Sequence, residues 1–332
     1  MNIYKSVPGL KKVTITDEMV NVAREDPTKI FAFGLYLTPK CNMKCIFCLS
    51  NAGCPKKHGV ELSYNKRESL LREARDLGAE QLIISGAGEP LLDRHFWDII
   101  KIAHDELGMH VAIYSNMLLI NKDVAAKIAS YERLSVTGKK YSFHPETENY
   151  LFGGDYSECV SNGFSNLMEA GLNLEIPTRL GFQCAITRVN IAEIPDILRY
   201  ARDNNLFPQI NKLFLAGRAK ENPDLFVTDD QYSSLYDKCR RIDLEEYGIK
   251  WEPCWSMDNP ILAGCCKRPK YWVMVDDLGE MRACSIDQAA VIGNVAKSTI
   301  FNVLQENAER VLALRQSFGE NSCYVCNKPE EV

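Results

Sequence analysis

From Ile30 to about Leu215, short apolar runs alternate with amphipathic stretches, and this alternation limits the fold more than any other feature of the chain. Phe31–Thr38, Gln81–Ile84, Val111–Tyr114, a short run near Leu134, Leu180–Ile186 and Ile210–Leu215 read as strands. Ser63–Leu77, His95–Leu107, Lys122–Ser130, Tyr156–Ala170 and Ile191–Asn204 read as helices. Ser63 is placed to cap the first of these, Leu70, Leu71, Ala74 and Leu77 give it an apolar face, and Gly78 stops it. Six strands, each followed by a helix, predict an α/β chain with a parallel sheet curling toward a barrel. In such folds the chemistry sits at the carboxyl ends of the strands.

Beyond Leu215 the pattern changes. A helix is expected over Asp229–Glu246, a hairpin over Tyr271–Val275 and Glu280–Cys284 with its turn at Asp276–Gly279, and a helix over Ser298–Gln316. A boundary near 250 divides the chain into an N-terminal extension (1–29), a βα region (30–250) and a C-terminal segment (251–332).

Composition narrows the function. With 332 residues, 46% of them hydrophobic, the chain can bury a core without disulfides. A formal net charge of −5 and the lack of a dense basic patch argue against a nucleic-acid surface. No apolar run reaches the roughly 18 residues of a membrane span, and Met1–Lys12 lacks the core of a secretory signal, so a cytoplasmic protein is expected. Thirteen cysteines in that compartment point to metal or redox chemistry. Cys159, Cys184 and Cys239, scattered along the chain, are expected to be small buried hydrophobes. Cys41, Cys45 and Cys48 form one cluster, and Cys254, Cys265, Cys266, Cys284, Cys323 and Cys326 crowd the last quarter.

The first cluster, Cys41-Asn-Met-Lys-Cys45-Ile-Phe-Cys48, lies in the loop after the first strand. Three thiolates leave a metal centre one ligand short. A structural zinc wants four closed ligands, whereas an iron–sulfur cluster on three cysteines keeps one iron open. Phe47, directly before the last cysteine, would shield such a cluster on one side. These residues resemble the signature of the radical S-adenosylmethionine (SAM) enzymes, CxxxCxxC with an aromatic before the third cysteine. Ser85-Gly-Ala-Gly-Glu-Pro90, after the second strand, is similar to that family's Gly-Gly-Glu-Pro motif, with Ala87 replacing one glycine.

The resemblance implies a partial (β/α)6 TIM-like barrel of the radical SAM type. It implies a [4Fe-4S] cluster on Cys41, Cys45 and Cys48, with SAM on the fourth iron. Gly86, Gly88, Glu89 and Pro90 would meet the SAM amino group. Ser115 and Asn116 after the third strand would meet its ribose or the substrate. Ser135, Ser142 and a lysine, Lys139 or more specifically Lys140, would bring a hydroxyl and a cation after the fourth strand. Arg188 would close the fifth, and Gly217-Arg-Ala219 resembles a tripeptide recurrent in members that carry extra clusters.

The run Cys266-x12-Gly279-x4-Cys284, followed by Cys323-x-x-Cys326, resembles the twitch and SPASM extensions of the same family. It implies a small C-terminal β-hairpin and helix extension holding a second, auxiliary [4Fe-4S] cluster on Cys266, Cys284, Cys323 and Cys326. Four cysteines also suit zinc.

The spacing is similar to that of the family's sugar and cyclitol oxidoreductases, such as 2-deoxy-scyllo-inosamine dehydrogenase. Cleavage of SAM to a 5′-deoxyadenosyl radical would abstract hydrogen from a carbinol C–H of a sugar, aminoglycoside or cyclitol. Oxidation would follow in a dehydrogenase, or hydrogen return from Cys265, with Cys254 behind it, in an epimerase. A flavodoxin- or ferredoxin-type donor would supply electrons. Modification of a ribosomally made peptide is the alternative, weighed lower because only about thirty residues precede the first strand, too few for a leader-binding domain. A non-enzymatic zinc adaptor and an RNA-modifying enzyme are more remote readings.

Overall fold

The computed structural model describes residues 9–54, 59–251, 268–284 and 290–317. Six parallel strands form in chain order: β1 (Ala32–Leu35), β2 (Gln81–Ile84), β3 (His110–Tyr114), β4 (Leu134–Lys139), β5 (Leu180–Ile186) and β6 (Phe207–Lys212). Each pairs with its predecessor. Helices pack on the outer face: α2 (Tyr64–Asp76), α3 (Phe96–Lys101), α4 (Lys122–Ala129), α5 (Pro145–Phe152), α6 (Ser157–Glu169), α7 (Ile194–Asp203) and α8 (Asp229–Tyr247), with α1 (Asp17–Glu25) before the first strand. Phe33, Leu82, Ile113, Val136, Phe182 and Ile210 supply the strand side of one continuous buried core. This is the α/β parallel sheet that the periodicity predicts.

The sheet curls strongly. Tyr114 on β3 donates its hydroxyl to Gln209 Oε1 on β6 (3.0 Å), although two strands lie between them in the sheet order. Side chains on the concave face therefore meet across a lumen. Residues before α1 lie against this face: Lys11 N–H donates to Thr178 O (2.7 Å), and Ser135 Oγ donates to Lys11 O (2.8 Å).

The C-terminal hairpin forms as predicted but joins the same sheet. β7 (Trp272–Val275) runs parallel to β1, and β8 (Glu280–Arg282) and β9 (Val291–Asn294) follow antiparallel. The resulting order is β6-β5-β4-β3-β2-β1-β7-β8-β9. Gly34 makes this possible, since a Cβ there would lie 2.7 Å from Met274 Cβ. Trp272, Met274 and Ala32 form a small second core beside it.

Several elements differ from expectation. β6 begins at Phe207 rather than Ile210 and takes in Pro208, which an edge strand tolerates because a missing N–H breaks no inner ladder. The second outer helix continues from α3 into a π-turn over Ile102–Glu106, with Gly108 at φ +65 after it. The final helix is two, α9 (Ile300–Glu306) and α10 (Ala308–Ser317), parted at Asn307, whose amide bonds back to Val303 O (2.9 Å). α1 and α5 carry too few apolar residues to stand out as periodic.

Candidate active site

The three clustered cysteines follow β1 at the carboxyl end of the sheet. Cys45 is buried and Cys41 and Cys48 are half-buried. Each sulfur has its own N–H donor. Asn116 Nδ2 lies 3.8 Å from Cys41 Sγ, Lys139 Nζ 3.6 Å from Cys45 Sγ, and the Ala52 backbone N–H 3.4 Å from Cys48 Sγ. Such donors suit sulfur in its thiolate form, the form that ligates iron. Burial opposes charge on Lys139, but the neighbouring Cys45, Tyr141, Cys48 and Cys41 outweigh it and hold the ammonium protonated well above the usual lysine range. Burial likewise pushes the Cys41 thiol up, with the Met43 backbone and Lys139 pulling against it. Among the described residues no group of three or more His, Cys, Asp or Glu side chains is set to hold a single metal ion. The fit to an iron–sulfur cluster rests on these three donors and the buried cation among them.

The second motif is bolted to the first. Gly88 packs so closely that a Cβ would lie 2.0 Å from Lys40 O, and the Glu89 N–H donates to that same carbonyl (2.8 Å). Ser50 Oγ donates to Gly86 O (3.1 Å). Pro90, buried, opens a short 3-10 turn. Glu89 is buried and reaches β3's end: Oε2 accepts the Asn116 N–H (2.6 Å), and Oε1 accepts the Ser115 hydroxyl (2.9 Å) and the Leu91 N–H (3.3 Å). Burial raises its pKa, against these donors. Asn116 is the hub, since its side chain also donates to Asn42 Oδ1 (2.7 Å). Glu89, Ser115, Asn116 and Cys41 are thus brought together.

The expected residues after β4 separate. Ser135, Thr137 and Lys139 alternate onto the concave face, which puts Lys139 rather than Lys140 beside the thiols. Lys140 turns to α5, pairing with Glu148 (3.4 Å) and lying 5.3 Å from the Phe143 ring centroid. Ser135 is tied to Lys11 O, and Ser142 Oγ donates to the Glu193 carboxylate (2.8 Å). Arg188 is exposed, its backbone N–H donating to Leu225 O (2.9 Å). Lys140, Ser135, Ser142 and Arg188 therefore do not converge with the thiols here, and strand parity alone would have chosen Lys139. Phe47, directly before Cys48, packs edge-on against buried Tyr141 at 5.1 Å.

The scattered cysteines divide. Cys184 and Cys239 are buried, as expected of small hydrophobes, but Cys159 is exposed, because it lies on the outer face of α6. In the C-terminal cluster, Cys284 is buried just past β8, where Trp272 Nε1 donates to Ala283 O (2.6 Å). Cys254, Cys265, Cys266, Cys323 and Cys326 lie outside the described residues.

Residues 35–215 match the family model "Radical SAM superfamily", and the chain belongs to that superfamily. Its cofactors are SAM and a [4Fe-4S] cluster. Among its relatives is the mycofactocin maturase MftC of Mycolicibacterium smegmatis, 25% identical over 299 residues, covering 87% of this chain and 74% of the relative. A probable GTP 3′,8-cyclase of Methanothermobacter thermautotrophicus is 29% identical over 269 residues, covering 77% of this chain and 84% of the relative. Streptococcus suis SuiB bound to the precursor peptide SuiA shares the fold at a TM-score of 0.65 and 15% identity, covering 88% of this chain and 67% of that one. The relatives named here are thus a maturase and a cyclase, not a sugar or cyclitol dehydrogenase or epimerase, and a peptide-bound protein shares the fold. No helix among the described residues is long and apolar enough to cross a membrane.

Proposed function

We propose that this radical SAM enzyme modifies a peptide. The observation that carries the reading is the reach of the similarity to the mycofactocin maturase, which covers 87% of this chain and so extends well beyond the 35–215 core. SuiB, which shares the fold, has been seen with a precursor peptide bound. This reverses the order expected from the cysteine spacing, which put a sugar or cyclitol first.

When bound, the reduced cluster and SAM supply a carbon-centred radical that takes hydrogen from an unactivated C–H. The chain's own residues do the rest. Cys41, Cys45 and Cys48 would hold the cluster, and Asn116, Lys139 and the Ala52 N–H would stabilise their charge. Glu89 would fix the Gly86–Pro90 loop against the end of β3, leaving its backbone carbonyls to orient the SAM amino group. Phe47 and Tyr141 would keep water from one side, which matters because a carbon radical must not meet solvent before its substrate. Cys266, Cys284, Cys323 and Cys326 are proposed to hold an auxiliary cluster, within a unit over 251–332. A flavodoxin- or ferredoxin-type protein is the proposed electron donor.

A second reading keeps a small molecule as substrate, favoured by the GTP 3′,8-cyclase relative whose match spans 77% of the chain. Carbinol oxidation or epimerisation, with Cys265 or Cys254 as hydrogen donor, belongs to it. Reconstituted enzyme with SAM and a reductant distinguishes the two. Peptides encoded beside the gene and a panel of aminoglycosides and cyclitols are each scored for 5′-deoxyadenosine release and a product mass change. Release coupled to a peptide mass change is expected; turnover of the small molecules alone would sink the peptide reading.

A further inference from the structure

The cysteine loop is held from behind by the segment after β6. We infer that Arg218, with Gly217 and Asn222, is the positioning element that sets the geometry of the three-cysteine cluster site. Arg218 Nε donates to Cys45 O (2.8 Å), its Nη1 donates to Ala52 O (3.0 Å) and Asn51 Oδ1 (3.2 Å), and its backbone N–H donates to Cys48 O (3.1 Å). Asn222 Nδ2 donates to Ile46 O (2.9 Å). Four carbonyls of the loop, at residues 45, 46, 48 and 52, thus point at one short 3-10 segment, Gly217–Glu221 and the residue after it.

Gly217 lets this segment come close. Its φ is +56, and a Cβ there would lie 2.1 Å from Cys48 O and 2.5 Å from Leu49 O. Any side chain would push the loop away. The Cys45 and Cys48 carbonyls held by Arg218 also accept the Cys48 and Asn51 N–H groups (3.2 Å each), and the Ala52 N–H faces the other way, toward Cys48 Sγ.

Charge adds to geometry. Among the described residues no carboxylate pairs with Arg218, and its Nη2 is buried without an acceptor. A whole positive charge therefore sits behind a loop that carries three thiolates when loaded. A planar fork meets several fixed carbonyls at once, which the single ammonium of lysine does not. Arg218 bonds to backbone, to Asn51 and, at 3.9 Å, to Cys54 Sγ, but not to the sulfurs of Cys41, Cys45 or Cys48, and so acts on the cluster site through the loop.

The test uses the full chain reconstituted anaerobically as wild type, Arg218→Lys, Arg218→Met and Asn222→Ala. A Cys41→Ala/Cys45→Ala/Cys48→Ala variant reports whatever the C-terminal cysteines hold, for subtraction. Iron loss to a chelator is timed, electron paramagnetic resonance of the reduced protein is recorded with and without SAM, and the apoproteins are melted. Arg218→Met is expected to lose iron from the three-cysteine site about 10–100-fold faster and to weaken the SAM-induced spectral change. Arg218→Lys should restore little of this, and Asn222→Ala should show a smaller defect of the same kind, while each apoprotein melts within a few degrees of wild type. Wild-type retention and spectra in Arg218→Met would overturn the assignment, as would a loss matched by an equal fall in apoprotein melting. Full rescue by lysine would overturn the role of the fork. Should Arg218→Met not fold, Asn222→Ala carries the same comparison.

Discussion

Glu89 spends both carboxylate oxygens on donors from its own loop and from the end of β3: the Asn116 and Leu91 N–H groups and the Ser115 hydroxyl. Glutamine there would set an NH2 against at least one of them, at a cost of about 1–3 kcal/mol for the unmatched donor pair. Glu89→Gln is therefore expected to bind SAM about 10-fold more weakly by titration calorimetry, since about 1.4 kcal/mol is tenfold. Unchanged affinity would show that the brace does not hold the loop. At this scale the sequence was legible where chemistry is local. The CxxxCxxC spacing and the Gly-Ala-Gly-Glu-Pro run name their residues outright. Asn116's reach to Cys41 and Arg218's hold on the loop carbonyls were not legible, because the partners lie 75 and 173 residues away in the chain. Lys139 was legible in principle from its even spacing with Ser135 along β4.

Helix α8 shows what an element needs beyond its own propensity. Thr228 caps it with a reciprocal bond to Gln231, and Gly248 ends it at φ +66, so its bounds were readable almost to the residue. Its docking was not. Asp243 is fully buried, accepts two hydrogen bonds from Arg202 on α7 (2.8 and 2.7 Å) and takes the Trp251 indole N–H (2.5 Å). Removing the carboxylate leaves a buried guanidinium unpaired, so Asp243→Ala should cost about 3–5 kcal/mol. Urea unfolding of the apoprotein measures it, and a midpoint like that of wild type would refute it. The elements that escaped notice failed for opposite reasons. α1 buries only Val20 and Ala23, and α5 is begun by Pro145 and ended by Gly153 within eight residues. β6 is shifted because its start is fixed by pairing Phe207 with Gly181, a contact no local pattern announces.

At the scale of the molecule, the described residues build one sheet of nine strands with the thiol loop at the carboxyl end of β1. A cluster bound only by the folded chain adds its binding free energy to stability. Chelating the iron anaerobically should therefore lower the melting temperature by several degrees, roughly 1–2 °C for each kcal/mol in a chain of this size. An identical melt with and without iron would mean that the site is not organised by folding. The parallel α/β class was written plainly in the alternation of runs. The place of the hairpin was not, since its period of two says that it pairs but not with which strand. That pairing has a practical consequence. β1 is flanked by β2 on one side and β7 on the other, so a shortened protein ending after α8 would leave a full row of backbone amides and carbonyls bare beside the thiol loop. A raw margin of that kind recruits neighbouring chains. Attempts to prepare the SAM-binding portion by trimming the tail should yield aggregates rather than a working half-enzyme.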